Sequence, residues 1–197
     1  MDDFLEYTAV RRHQGLYGVM YYMTQLIAVL FGVYALIALS GCIGINPQTG
    51  RMNFSLQSLL LALAAGAVAF AAFRGKDSFR TEYDYSFTNG ALDVSSVMNN
   101  KRRRYLCALE MKDVIRCGPA SGPAFAKSLS EPNVKRHNWF VNREAKLYFI
   151  YFQKKGIKHV AVMELPDEMI SVMRSRKYLK PGVWYDADGK QRYDSLS

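Results

Sequence analysis

From Gln14 to Gly50 the chain carries no Asp, Glu, Lys, Arg or His, and after Arg51 a second uncharged run extends from Met52 to Phe73. A helix needs about 20 predominantly apolar residues to span a bilayer core. The stretch "GVMYYMTQLIAVLFGVYALIALSGCIG" exceeds that length and "FSLQSLLLALAAGAVAFAAF" meets it. A soluble surface helix keeps a polar face, and neither run has one. A signal peptide has an apolar region of only about 7 to 15 residues before its cleavage site; here the first run is far longer and a second follows at once. The short polar turn "NPQTGR" joins them, so residues 16–73 are expected to form a two-helix transmembrane hairpin. Basic residues orient such a hairpin. Arg11 and Arg12 precede it, Arg74, Lys76 and Arg80 follow it, and the connecting turn offers only Arg51. The expectation is a protein of the inner (plasma) membrane, crossing twice with both termini cytoplasmic. Tyr17, Tyr21 and Tyr22 then lie at the headgroup level, which suits amphipathic rings.

Within the second span, Ala62 and Gly66 share one helical stripe, and Ala65 and Ala69 its neighbour. Small residues four apart let helices approach closely in lipid. Contact with the first span of the same chain is the expected use, with a homo-oligomer as the alternative. Gln25, the strongly polar side chain deep in the first span, is expected to hydrogen-bond between helices. In the N-terminal segment, 1–15, Asp3 and Glu6 have loose capping-box spacing, which predicts a short surface helix. Cys42, Cys107 and Cys117 form no CxxC pair and have no His at ligand spacing, so neither a disulfide framework nor a zinc site is expected.

From Thr81 the period changes to two. "TEYDYSFT" alternates Tyr83, Tyr85 and Phe87 with Glu82, Asp84 and Ser86, as a half-buried strand does. Asn89-Gly90 follows, a strong hairpin signal because both residues tolerate positive φ. "ALDVSSVM", "RRYLCALE" and "KDVIRC" continue as strands. "GPASGPAFAKSLSEPNVKR" is proline-rich and is expected to be a loop. "HNWFVN", "KLYFIYFQ" and "IKHVAVMEL" give three more strands, with Trp139 facing the core. "PDEMISVMRSRKYL" has helical spacing; Pro166, Asp167 and Glu168 suit its start, and Arg174, Arg176 and Lys177 its end. Residues 181–197 read as a polar tail.

Four strands, a loop, three strands and a helix is the element order of a pleckstrin-homology (PH) fold. Two membrane spans followed by "YDYSFTNGALDVSSVMNNKRRRYLCALEMKDVIRC" resemble the bacterial membrane-anchored PH-like proteins. The opening "MDDFLEYTAVRRHQGL" is also similar to a family of short Firmicutes membrane proteins without an assigned activity. The resemblance implies a mainly-β PH-like domain over 79–180: about seven antiparallel strands in two packed sheets forming a small β-barrel, capped by one C-terminal helix. It does not imply inositol-phosphate recognition. Phosphoinositide-binding PH domains cluster Lys and Arg around their first turn, and here that turn is a bare "TNGA".

The net charge of +9 is unevenly spread, and its densest run needs either a counter-charge or a solvated turn whose charges face water. Lys101, Arg102, Arg103 and Arg104 are that run. Because turns of a meander alternate between the ends of a sheet, this run is expected to return towards the membrane beside Arg74, Lys76 and Arg80. The anionic headgroups then supply the counter-charge, at about 1 kcal/mol per basic residue. Nucleic acid is not expected as a partner, since no aromatics interleave with the basic residues. His13, His137 and His159 stand apart, "DAD" at 186–188 reads as a solvated turn, and no phosphate loop or nucleophile elbow is present. No cofactor or metal is expected, and no catalysis. Two spans without an intramembrane charge offer no ion path. The expectation is a membrane-anchored interaction or scaffolding module with a protein partner; the alternative is a domain that senses or binds anionic lipid.

Overall fold

The computed structural model describes residues 3–12, 15–45, 50, 52–175 and 178–191. It divides into two compact units, His13–Arg80 and a second one that joins Met1–Arg12 to Thr81–Ser197.

The first element corrects the sequence-based expectation. Residues Phe4–Ala9 form a strand, β1, and not a helix. Leu5 and Tyr7 pack against the core and Ala9 is fully buried, while Glu6 and Thr8 alternate with them along "FLEYTA". This period of two suits a pleated surface. The Asp3/Glu6 spacing is overridden by a long-range partner, since β1 pairs antiparallel with the later strand Thr81–Thr88, from Phe4↔Thr88 to Ala9↔Tyr83.

In the unit between them, α1 (Gly15–Ser40) leads to a short ribbon of β2 (Ile43–Ile45) and β3 (Met52–Phe54), and α2 (Leu56–Gly75) returns. Ser55 caps α2, accepting a hydrogen bond from the Ser58 N–H at 3.2 Å. Most apolar side chains of both helices face outward, and Tyr21, Ala28, Ala62 and Ala65 are the buried ones. The helical segments Gly15–Ser40 and Leu56–Arg80 are long and apolar enough to cross a membrane. Most of the expected "NPQTGR" turn, residues 46–49 and Arg51, lies outside the described residues.

A 3-10 turn, Lys76–Arg80, precedes the second unit. There follow β4 (Thr81–Thr88), β5 (Ala91–Met98), β6 (Arg102–Glu110), β7 (Val114–Pro119), α3 (Pro123–Ser130), β8 (Val134–Trp139), β9 (Tyr148–Lys154), β10 (Ile157–Met163) and α4 (Asp167–Met173). They build two four-stranded sheets of order β1-β4-β5-β6 and β7-β9-β10-β8. The Asn89-Gly90 hairpin is present, with φ of 48° and 96°. Three expectations need correction. Among the described residues the strands of this unit form two separate sheets and no closed barrel. β8 pairs parallel with β10, because the segment between Trp139 and Tyr148 crosses over instead of turning tightly, and a parallel neighbour requires such a crossover. The expected proline-rich loop contains α3; Pro123 occupies its first turn, where the missing N–H costs nothing.

One core lies between the sheets, where Tyr85, Phe87, Leu92 and Val94 meet Ile150, Phe152, Ala161 and Met163, with Met169, Ile170 and Met173 of α4. A second lies on the outer face of the β7–β8 sheet, where Ala124, Phe125 and Leu129 of α3 cover Phe149, Tyr151, Val160 and Val162. Val183 and Trp184, expected in a polar tail, are buried in the first core. The Cys117 N–H donates to the Val183 carbonyl at 3.0 Å and the Tyr185 N–H to the Cys117 carbonyl at 2.9 Å, so this segment covers the β7 edge. Arg176, Lys177 and residues 192–197 lie outside the described residues.

Candidate functional site

The basic run starts in a turn. Asn99 and Asn100 both adopt left-handed φ, 50° and 52°, which Asn tolerates better than most residues. The Lys101 N–H donates to the Met98 carbonyl at 3.1 Å, and Arg102, Arg103 and Arg104 then open β6. Registers Thr81↔Met98 and Met98↔Arg102 place the turn at the end of the sheet where the chain enters β4. Ala9↔Tyr83 places the exit of β1 at that same end. All four basic side chains are exposed. Arg103 finds a counter-charge inside its own sheet, Asp84 at 3.4 Å, a surface pair worth at most about 1 kcal/mol. Among the described residues, Lys101, Arg102 and Arg104 have no carboxylate within 4 Å. β6 is an edge strand, and charges on an edge also discourage pairing with foreign strands.

Arg74, Lys76 and Arg80 belong to the helical unit. Arg74 ends α2, where a cation complements the helix dipole. Lys76 is buried, its Nζ 4.4 Å from the Phe73 ring centre and 5.5 Å from that of Tyr21. The Arg80 guanidinium lies 3.9 Å from the Tyr21 ring centre and 3.5 Å from the Tyr22 hydroxyl. Two cations therefore share one tyrosine ring, each contact worth roughly 0.5–2 kcal/mol depending on desolvation. Ala62 and Ala65 are buried, Ala69 is half-buried, and a Cβ on Gly66 would meet nothing within 4 Å. Gln25 is exposed and makes no hydrogen bond among the described residues, so the expected interhelical bond is absent.

His13 lies outside the described residues, but the fold brings the other two histidines together. His137 Nε2 and His159 Nδ1 are 2.9 Å apart, in a row of rings running Trp139, His137, His159, Phe152. Burial holds both below the ordinary His range. The charge of His159 and Lys135 adds to this for His137, and that of Lys135 and Lys154 for His159. The pair favours neutral rings sharing one hydrogen bond. The separation in sequence hid it, because the parallel pairing of β8 with β10 makes the two diagonal neighbours, His159 lying opposite Lys135 and His137 opposite Ala161.

A second cluster had no local signal either. Glu131 meets Arg116 at 2.5 Å and Lys158 at 2.9 Å and accepts from the Tyr151 hydroxyl at 2.5 Å. These partners hold its carboxyl down to about 2 and pin the end of α3 to the sheet. Burial pushes the Cys117 thiol up to about 12, far from a reactive thiolate. Asp186 of "DAD" accepts from the Trp184 indole at 3.3 Å, as part of a turn. No group of three or more His, Cys, Asp or Glu is placed to hold a metal among the described residues.

Residues 1–180 match a family described as a bacterial PH-like domain (DUF6106). No curated protein and no solved structure matches the chain.

Proposed function

Because the chain belongs to this bacterial PH-like domain family, we propose that it is a membrane-anchored interaction or scaffolding module. In this reading α1 and α2 cross the inner membrane, both termini are cytoplasmic, and the "KRRR" edge rests against anionic headgroups. The supporting observation is the β1–β4 pairing. The segment before the hairpin and the segment after it are neighbouring strands of one sheet, so both must lie on one side of any bilayer the hairpin crosses. Arg11, Arg12, Arg74, Lys76 and Arg80 gather at that end of the hairpin in sequence, which favours the cytoplasmic side. The "KRRR" turn stands at the sheet end from which both connections leave.

Surface attraction fits better than a dedicated lipid pocket. The hollow beside Arg103 holds only about 100 Å³ and is walled by Glu6 and Asp84, which repel a phosphate. This favours an interaction module over a lipid sensor.

The test uses the full chain in nanodiscs, with a fluorophore at Asn100→Cys and an acceptor dye in the headgroup layer. Energy transfer is expected to be stronger with phosphatidylglycerol than with phosphatidylcholine alone. The difference should vanish at high salt, where screening shortens the reach of surface charge, or after Lys101, Arg102, Arg103 and Arg104 become Ser. Equal transfer in both lipids would return the run to a solvated strand edge.

A further inference from the structure

The hairpin contains a groove that its own side chains leave open. It measures about 330 Å³ and runs between α1 and α2, with Gln25, Ala28 and Val29 on one side and Ala69, Phe70 and Phe73 on the other. Ala28 and Ala69 create the space, since a larger side chain at either position would fill it. Lys76 closes one end. We infer that this groove is a lipid site, taking an acyl chain of an anionic phospholipid whose phosphate sits against Lys76 and Arg80.

Three observations carry this. The groove wall is apolar apart from Gln25 and Lys76. At its end two cations crowd the Tyr21 ring, with no carboxylate within 4 Å of either among the described residues; basic pockets between membrane helices are suited to anionic headgroups. Gln25 supplies the third. Its side chain has no hydrogen-bond partner among the described residues, and an unsatisfied amide in hydrocarbon is costly. It lies one helical turn from Tyr21, about 6 Å along the axis. A glycerol ester below a phosphate held at Lys76 and Arg80 comes within its reach. A second copy of the chain fits less well, because a two-fold contact through this face would bring Lys76 and Arg80 up to their own copies.

The inference rests on the hairpin crossing the membrane, but not on the "KRRR" run meeting headgroups. Full-length protein in phosphatidylcholine nanodiscs is given a trace of phosphatidylglycerol bearing a photoreactive group on its acyl chain. It is irradiated, and the labelled peptides are identified by mass spectrometry. Labels are expected on α1 around Gln25–Val29 and on α2 around Ala69–Phe73, several-fold more than from a phosphatidylcholine probe. Lys76→Gln should remove that preference and Lys76→Arg keep it. Ala69→Phe should clear both segments of label while the tryptophan emission of the β domain stays unchanged. Equal labelling by the two probes, or labels spread evenly along both helices, would overturn the site. So would efficient disulfide cross-linking of two copies at Gln25→Cys. No label anywhere on the hairpin would overturn the membrane anchor as well.

Discussion

Single side chains decide how this domain responds to substitution and to pH. Trp139 is buried between the sheets and lies against His137. Trp139→Ala should cost about 3–5 kcal/mol, read as a lowered denaturation midpoint of the β domain in the full chain; an unchanged midpoint would remove Trp139 from the core. The His137–His159 pair gives a pH dependence of definite sign. Both rings are held below the ordinary value of 6.5 when folded. Above about pH 6.5 they are neutral in both states and add no slope. As pH falls through that value the unfolded chain gains protons that the folded one refuses, so stability drops until the folded rings also protonate. Replacing both by Phe should flatten the change in melting temperature between about pH 7.5 and about pH 5.5. Glu131 acts in a lower window: its contribution is present above about 4.5 and is lost as pH falls towards about 2.

Elements held by distant partners are the ones most exposed to a single change. Gly118 on β7 lets the C-terminal segment approach so closely that a Cβ there would stand 2.2 Å from the Tyr185 carbonyl oxygen. Gly118→Ala should dislodge residues 183–185, seen as faster amide exchange in that segment and red-shifted Trp184 emission while the first sheet stays protected. Removing residues 1–9 should do more, since it uncovers the β4 edge and the site of the fully buried Ala9; faster amide exchange along β4 in the detergent-solubilised chain is the expected readout. These elements also mark how far the sequence was legible. The β4–β5 hairpin could be read because Asn89-Gly90 carries its own geometry. β1 could not, because "FLEYTA" becomes a strand only beside β4, on the far side of the hairpin. α3 was hidden by prolines that read as breakers, although one of them sits at a helix start. At the candidate site, the run Lys101–Arg104 was visible as charge, whereas Asp84 beside Arg103 and the cations around Tyr21 needed the fold to reveal them.

At the scale of the whole molecule, the helical hairpin is an insertion within a domain and not a stalk before it. A reporter fused after Ser197 should be active in its cytoplasmic form, and one placed within residues 46–49 in its periplasmic form. The reverse pattern would invert the proposed orientation. The placement of β1 also bears on biosynthesis. This strand leaves the ribosome before either span, yet its partner β4 is made only after both. If α1 and α2 cross a membrane as proposed, a chain whose second helix stalled short of the bilayer would hold its first strand and its remaining sheet on opposite faces of the lipid, with the β4 edge bare. On that proposed topology completed insertion is a prerequisite for closing the first sheet, and a nascent chain that fails it exposes an unpaired strand to proteases before it can be mistaken for finished protein.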